Sequence, residues 1–136
     1  MILRGTIMNL ASQIFALLAA LLHVFIFCME SLWFMQPKVH QRFGAATAAD
    51  AETLRVFAFN QGFYNLFLAI GIGGGLALLH TGGDLMVGRT LILFNCACML
   101  GAGVVLFASA GSRMLRAATM QAIFPALAWG FWLALG

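Results

Sequence analysis

Charged residues are scarce in this sequence of 136 residues, with seven Lys or Arg and four Asp or Glu, or 8% of the chain. Soluble domains carry about a quarter charged residues, which keep their surfaces hydrated. Hydrophobic residues make up 63% of this chain. Because so few charges cannot cover a soluble globule, the composition excludes that class and predicts that lipid surrounds most of the surface.

The net charge of +3 does not indicate a nucleic-acid partner. The basic residues stand singly at the ends of apolar segments, whereas a phosphate-binding surface needs a cluster of them. Single basic residues in such positions are typical of the positive-inside bias of membrane proteins. We therefore expect no nucleic-acid partner.

Cysteine is also rare, and Cys28, Cys96 and Cys98 all lie inside apolar segments. Cys96 and Cys98 are two residues apart, so on a helix they point to nearly opposite sides and cannot share a metal ion. We expect free buried thiols, with no disulfide, no metal site and no cofactor.

Four apolar segments are long enough to cross about 30 Å of hydrocarbon, at about 8–34, 56–79, 85–108 and 115–135. Pro37 is expected to stop the first helix. Thr47 followed by Asp50 resembles a helix start, which predicts that the second helix begins ahead of its apolar segment. The short connections predict a single all-α domain over residues 1–136, an integral membrane up-down bundle of four transmembrane helices.

Polar side chains interrupt the apolar segments, in order His23, Glu30, Asn60, Gln61, Tyr64, Asn65, Asn95 and Gln121. An unpaired polar group in hydrocarbon costs several kcal/mol, so these side chains are expected to face the interior and one another. A rise of about 1.5 Å per residue places Glu30 at one level with Asn60, Gln61 and Gln121, and places His23 deeper on the same helix face. The sequence thus predicts a polar column inside the bundle.

Each of these residues also has a structural interpretation. Amides often join membrane helices by hydrogen bonds without further function. Glu30 is within reach of the interface, and His23 alone is more often structural. Trp33 lies near a segment end, where tryptophans either anchor at the interface or line a pocket. Gly71 and Gly75 form a small-xxx-small pair, which suits close helix packing or a homodimer.

The same residues resemble a known family. His23, Glu30 and Trp33, followed by Asn60-Gln61-Gly62, Tyr64-Asn65 and Leu68-Ala69, are similar to the signature of a bacterial family of small integral membrane proteins, the domain of unknown function numbered 1304. The resemblance covers nearly the whole chain and is thinner in the fourth segment. It implies a four-helix membrane protein and no established activity.

The leading hypothesis is a pocket for a small apolar or lipid-like molecule, with acid–base chemistry of an isomerase kind. Glu30 and His23 are the candidate catalytic residues. The candidate ligand-binding residues are Asn60, Gln61, Tyr64, Asn65, Asn95, Gln121 and Trp33. Two alternatives stay open, a proton-coupled transporter or exporter and a non-catalytic membrane partner subunit, so the sequence does not decide whether the protein is an enzyme.

The distribution of Lys and Arg predicts the orientation in a bacterial inner membrane. Five lie in the first and third connections and two lie on the opposite side, at Arg4 and Arg89. The positive-inside bias places the first and third connections in the cytoplasm and both termini outside it. Reporter fusions at Gly136 and in the connection 36–53 should therefore give opposite signals. A reporter at Gly136 that is active in the cytoplasm would contradict this topology.

Overall fold

The computed structural model of the protein describes residues 7–136, and this part of the chain is helical and contains no strand. The prediction of an all-α protein is confirmed. The α-helices in order are α1 (Leu10–Phe27), α2 (Pro37–His40), α3 (Ala48–His80), α4 (Leu85–Ala110) and α5 (Leu115–Leu135). Four of these are long, and α2 is a single turn. Arg4, which entered the charge count, lies outside the described residues.

Three helical stretches are long and apolar enough to cross a membrane, namely Leu10–Leu32, Ala48–His80 and Leu85–Leu135. The third stretch has 51 residues and is a hairpin. A 3₁₀ turn at Gly111–Met114 separates α4 from α5, and Gly111 adopts a φ of +63° that favours glycine. Across the hairpin, the indole Nε1 of Trp129 donates a hydrogen bond to the Leu93 carbonyl at 3.0 Å.

The end of the first helix differs from the prediction. After α1 the chain continues through a π-helical turn at Cys28–Leu32 and leaves the helix there, ahead of Pro37. The prediction that Pro37 stops the first helix is therefore wrong. Pro37 begins α2 instead, in a first turn where its missing N–H costs nothing.

The start of α3 agrees with the prediction. The Thr47 hydroxyl accepts a hydrogen bond from the Asp50 amide at 3.1 Å, and the Asp50 carboxylate accepts one from the Thr47 amide at 3.0 Å. This reciprocal pair satisfies N–H groups that the first turn of a helix leaves without partners. The helix consequently begins at Ala48, well before the apolar segment.

The chain forms two compact units. The central unit is His23–Phe67. The terminal unit comprises the described residues up to Leu22 together with Leu68–Gly136.

In the terminal unit, α3 and α4 approach closely at glycines. A Cβ added at Gly75 would lie 2.6 Å from the Gly88 carbonyl oxygen, and one added at Gly71 would lie 2.3 Å from the Asn95 side-chain nitrogen. Both glycines are thus used for helix packing within the chain, which is one of the two roles predicted for them. The homodimer through Gly71 and Gly75 stays a prediction.

Polar side chains at the start of α1 bind the end of α5 in the same unit. Asn9 Nδ2 donates hydrogen bonds to the Phe131 and Gly136 carbonyls at 3.1 and 3.0 Å, and the Ser12 hydroxyl donates one to the Ala128 carbonyl at 2.8 Å. These bonds therefore connect the start of α1 to the last two turns of α5.

Large apolar side chains are exposed along all four long helices, among them Leu10, Phe57, Phe94, Val105 and Leu133. Water would make such a surface costly, since exposed apolar patches of this extent are rare on soluble monomers. The surface is compatible with a membrane protein.

The close contact at Gly75 can be tested by adding a methyl group. Gly75→Ala should lower the stability by about 1–3 kcal/mol, because the new Cβ overlaps backbone and side-chain atoms of α4. The matched control is Gly74→Ala, where a Cβ meets nothing within 4 Å and the higher helix propensity of alanine should leave stability equal or slightly higher. Thermal unfolding in detergent measures both. Equal midpoints for the two variants would contradict the packing.

Candidate functional site

Glu30 is a buried carboxylate, 9% exposed, within the π-helical turn of the central unit. The turn is closed by a hydrogen bond from the Trp33 amide to the Cys28 carbonyl at 2.9 Å, which spans five residues. Such widened turns occur frequently at functional sites, because they redirect side chains that a regular helix would align. The Oε2 atom of Glu30 accepts a hydrogen bond from Asn65 Nδ2 on α3 at 2.9 Å.

Gly62 lets α3 approach the π-helical turn. A Cβ at this position would lie 2.1 Å from the Ser31 hydroxyl oxygen and 3.1 Å from the Glu30 Cβ. The Ser31 hydroxyl in turn donates a hydrogen bond to the Phe59 carbonyl on α3 at 2.8 Å. The absence of a side chain at Gly62 therefore brings Asn65 within reach of Glu30.

An open cleft of about 400 Å³ lies beside Glu30. Its polar lining consists of Glu30, Ser31 and Arg55. Its apolar lining consists of Leu32, Phe34, Met35, Val56 and Phe59. A volume of this size is within the range of small-molecule sites, which are mostly apolar with a few convergent polar groups.

The charge next to the cleft belongs to Arg55, which pairs with Glu52 one turn earlier at 3.1 Å. Both side chains are more than half exposed, so the pair contributes little to stability. It is the one ion pair found in residues 7–136. Glu30 is thus held by an amide and not by a cation such as Arg55.

The sequence-predicted residues separate by burial. His23 and Asn65 are buried with Glu30 in the central unit, and His23 is fully buried. Asn60, Gln61 and Tyr64 are exposed, and none of them lines the cleft. The prediction that these three face the interior is wrong.

The geometry of α3 explains this error. Gly62 and Asn65 belong to the buried side of the helix. Two residues turn an α-helix by about 200°, so Asn60 and Tyr64, each two positions from Gly62, lie on the opposite side. Asn60 Nδ2 donates to the Val56 carbonyl of its own helix at 2.8 Å.

Three further predicted residues do not line the cleft. Trp33 follows the π-helical turn, is exposed, and makes an edge contact with Phe25. Asn95 is buried in the terminal unit, where Nδ2 donates to the Leu91 carbonyl at 2.8 Å. Gln121, in the same unit, is half-buried near Gly103. Their ligand-binding roles stay predictions.

Sequence reasoning missed Ser31, Arg55 and Gly62 as parts of the site. A spacing signal for Gly62 was present, because Ala51, Ala58, Gly62, Asn65 and Ala69 recur at intervals of three, four and seven residues and form the inward side of α3. Nothing in the sequence indicated the π-helical turn that orients Glu30 and Ser31.

The three cysteines are free, and within the described chain no group of three or more His, Cys, Asp or Glu side chains could hold a metal ion. The site therefore offers a carboxylate, a hydroxyl and a guanidinium among apolar walls.

A family model described as a protein of unknown function, DUF1304, matches residues 17–133. The match includes Glu30, Gly62 and Asn65, and it confirms the resemblance drawn from the sequence. No curated protein and no solved structure matches the chain.

The Glu30–Asn65 bond can be measured by a double-mutant cycle. Asn65→Leu should cost about 1–3 kcal/mol, because it leaves a buried carboxyl without its donor. Glu30→Met should cost a similar amount or less, because it leaves one N–H of the Asn65 amide without its acceptor while the other still donates to the Gln61 carbonyl at 3.1 Å. The double variant should cost less than the sum of the two, since two apolar side chains of similar shape leave no buried polar group.

Unfolding in detergent gives all four corners of this cycle. Asn60→Leu serves as the control and should be close to neutral, because Asn60 is exposed and bonds only within its helix. Additive costs for the two single variants would mean that the hydrogen bond contributes nothing.

Proposed function

The chain belongs to the DUF1304 family of proteins of unknown function, and we propose that it is an integral membrane protein whose central-unit cleft binds a small apolar or lipid-like molecule. Glu30 exchanges a proton with this molecule. The observation that carries the proposal is a buried carboxylate lining a cleft whose other walls are mainly apolar.

The proposed setting is a bacterial inner membrane that the chain crosses four times, with both termini outside the cytoplasm. Three apolar helical stretches support it, the third being a hairpin of two helices. The exposed apolar side chains and the excess of basic residues in the first and third connections support it further.

Within the cleft, the residues have distinct roles. Glu30 is the acid–base group, and Asn65 is a positioning residue that fixes one carboxylate oxygen. His23, two helical turns earlier on α1, is the proposed partner that relays the proton. A ligand that fills the open cleft would exclude water from the reacting atoms together with the apolar walls, which strengthens the electrostatic interactions there.

An isomerisation reaction needs only the residues that line or contact this cleft. Glu30 removes a proton from one carbon of the ligand and returns it to another, so the ligand's atoms and electrons balance without a second substrate. General acid–base catalysis needs a carboxyl within hydrogen-bonding reach of the proton that moves. No cofactor is needed for such a step.

A proton-coupled transporter is the second candidate, and the same observation favours it. Acidic residues inside membrane helices mark proton pathways as well as catalytic sites. The two functions differ in what they need, because transport requires a gradient and leaves its substrate chemically unchanged. A non-catalytic partner subunit would depend on neither property.

Glu30→Gln tests the role of the carboxyl. The amide can still accept the hydrogen bond from Asn65, so the thermal unfolding midpoint should stay close to that of the parent. Proton exchange should be lost, because glutamine does not titrate. The measurement is deuterium incorporation into a bacterial lipid extract incubated with the purified protein in D₂O, read by mass spectrometry.

Glu30→Asp should keep part of the exchange, and Arg42→Gln, an exposed change outside the cleft, should keep all of it. A parent protein that labels no lipid but dissipates a proton gradient in liposomes would favour the transporter. A clear loss of stability in Glu30→Gln with labelling unchanged would leave Glu30 a structural residue.

A further inference from the structure

We propose that the ligand of this cleft is an amphiphile with an anionic headgroup, a phosphate or a carboxylate, and that Arg55 binds that headgroup. The inference rests on the proposed function and specifies its substrate class. Arg55 and Glu30 line the same cleft together with Ser31 and five apolar side chains.

The two charged groups of the cleft differ in how accessible they are to a ligand. Glu30 is 9% exposed and already accepts a hydrogen bond from Asn65. The Arg55 side chain is more than half exposed and lies at the rim. A headgroup arriving from outside therefore meets the exposed guanidinium before the buried carboxylate, and an anionic headgroup can pair with it.

Arg55 can exchange its present partner at small cost. Its pair with Glu52 is exposed on both sides and lies within one helical turn, a kind of pair that contributes little. A guanidinium presents paired N–H donors that match the oxygens of a phosphate or carboxylate, so the anion gains two parallel hydrogen bonds. Glu52 is then a competitor that keeps Arg55 in place while the cleft is empty.

The apolar lining determines the rest of the ligand. Leu32, Phe34, Met35, Val56 and Phe59 offer no charge and no side-chain hydrogen bond. They suit a hydrocarbon chain or ring between the headgroup at Arg55 and the proton-exchanging position at Glu30. An anion without an apolar part would leave this surface unused and bind weakly.

The test compares three probes with the same tail, namely dodecyl phosphate, dodecanol and dodecyltrimethylammonium. Binding to the full chain in neutral detergent is measured by native mass spectrometry and by the shift of the unfolding midpoint. Dodecyl phosphate should bind about tenfold more tightly than dodecanol, the usual gain from hydrogen bonds to a charged group. The cationic probe should bind most weakly.

Variants assign the preference to Arg55. Arg55→Gln should remove most of the preference for dodecyl phosphate over dodecanol, and Arg55→Lys should keep part of it. Glu52→Gln should tighten binding of dodecyl phosphate by removing the competitor. The control is Arg42→Gln, an exposed basic residue of the same unit outside the cleft, which should change nothing.

Two more probes distinguish the sources of the anion. Hexyl phosphate represents a soluble metabolite, and phosphatidylglycerol in nanodiscs represents a lipid headgroup. Competition against dodecyl phosphate shows which of them occupies the cleft, and competition by either one supports the anionic class.

The outcomes separate the two proposals. Equal binding of dodecyl phosphate and dodecanol, with both lost on filling the cleft by Val56→Trp, would overturn the role of Arg55 and leave the proposed function standing. An unchanged preference in Arg55→Gln would overturn it as well. Failure of all three twelve-carbon probes to bind would overturn both proposals.

Discussion

The hydrogen bond from the Asn65 amide to the Glu30 carboxylate, 2.9 Å long, determines how the central unit is built. A buried carboxylate is costly unless a donor reaches it, and two features of the backbone provide this reach. The π-helical turn at Cys28–Leu32 holds Glu30, and Gly62 leaves room for α3 beside that turn. The cleft opens next to the carboxylate, and one of its lining residues, Ser31, joins the same turn to α3 by a hydrogen bond to the Phe59 carbonyl.

Close approach at small residues also governs the terminal unit. Gly75 faces the backbone of α4 at a distance that no side chain would allow. In a membrane, apolar helices in general gain little from burying apolar surface against each other, so tight packing and hydrogen bonds hold them together. Ser12 and Asn9 supply such bonds by donating to carbonyls in the last two turns of α5. In both units, glycine allows two helical segments to approach closely, and amide and hydroxyl side chains form hydrogen bonds between them.

The sequence could predict the features that have a local signal and could not predict those that depend on how helices pack. The long helices, the start of α3 at Thr47 and the family were predictable, since apolar length, capping residues and motifs are local signals. Glu30 stood out as an acid among apolar residues. The sequence did not show that Asn65 is buried and Asn60 exposed. Both are amides on the same helix, and only the direction in which each side of α3 faces distinguishes them. The π-helical turn has no local sequence signal, so the sequence could not predict that Ser31 and Arg55 belong to the site.

The arrangement of charges supports the proposal that Glu30 acts on a ligand. A carboxylate kept for stability would be better compensated by a cation, and Arg55 lies on the same cleft. Arg55 pairs instead with the exposed Glu52, where the gain is small. A methionine or leucine in place of Glu30 would remove the desolvation cost altogether. A buried acid that is only partly compensated, beside a cation that stays available, is the arrangement expected where a ligand completes the electrostatics of the site.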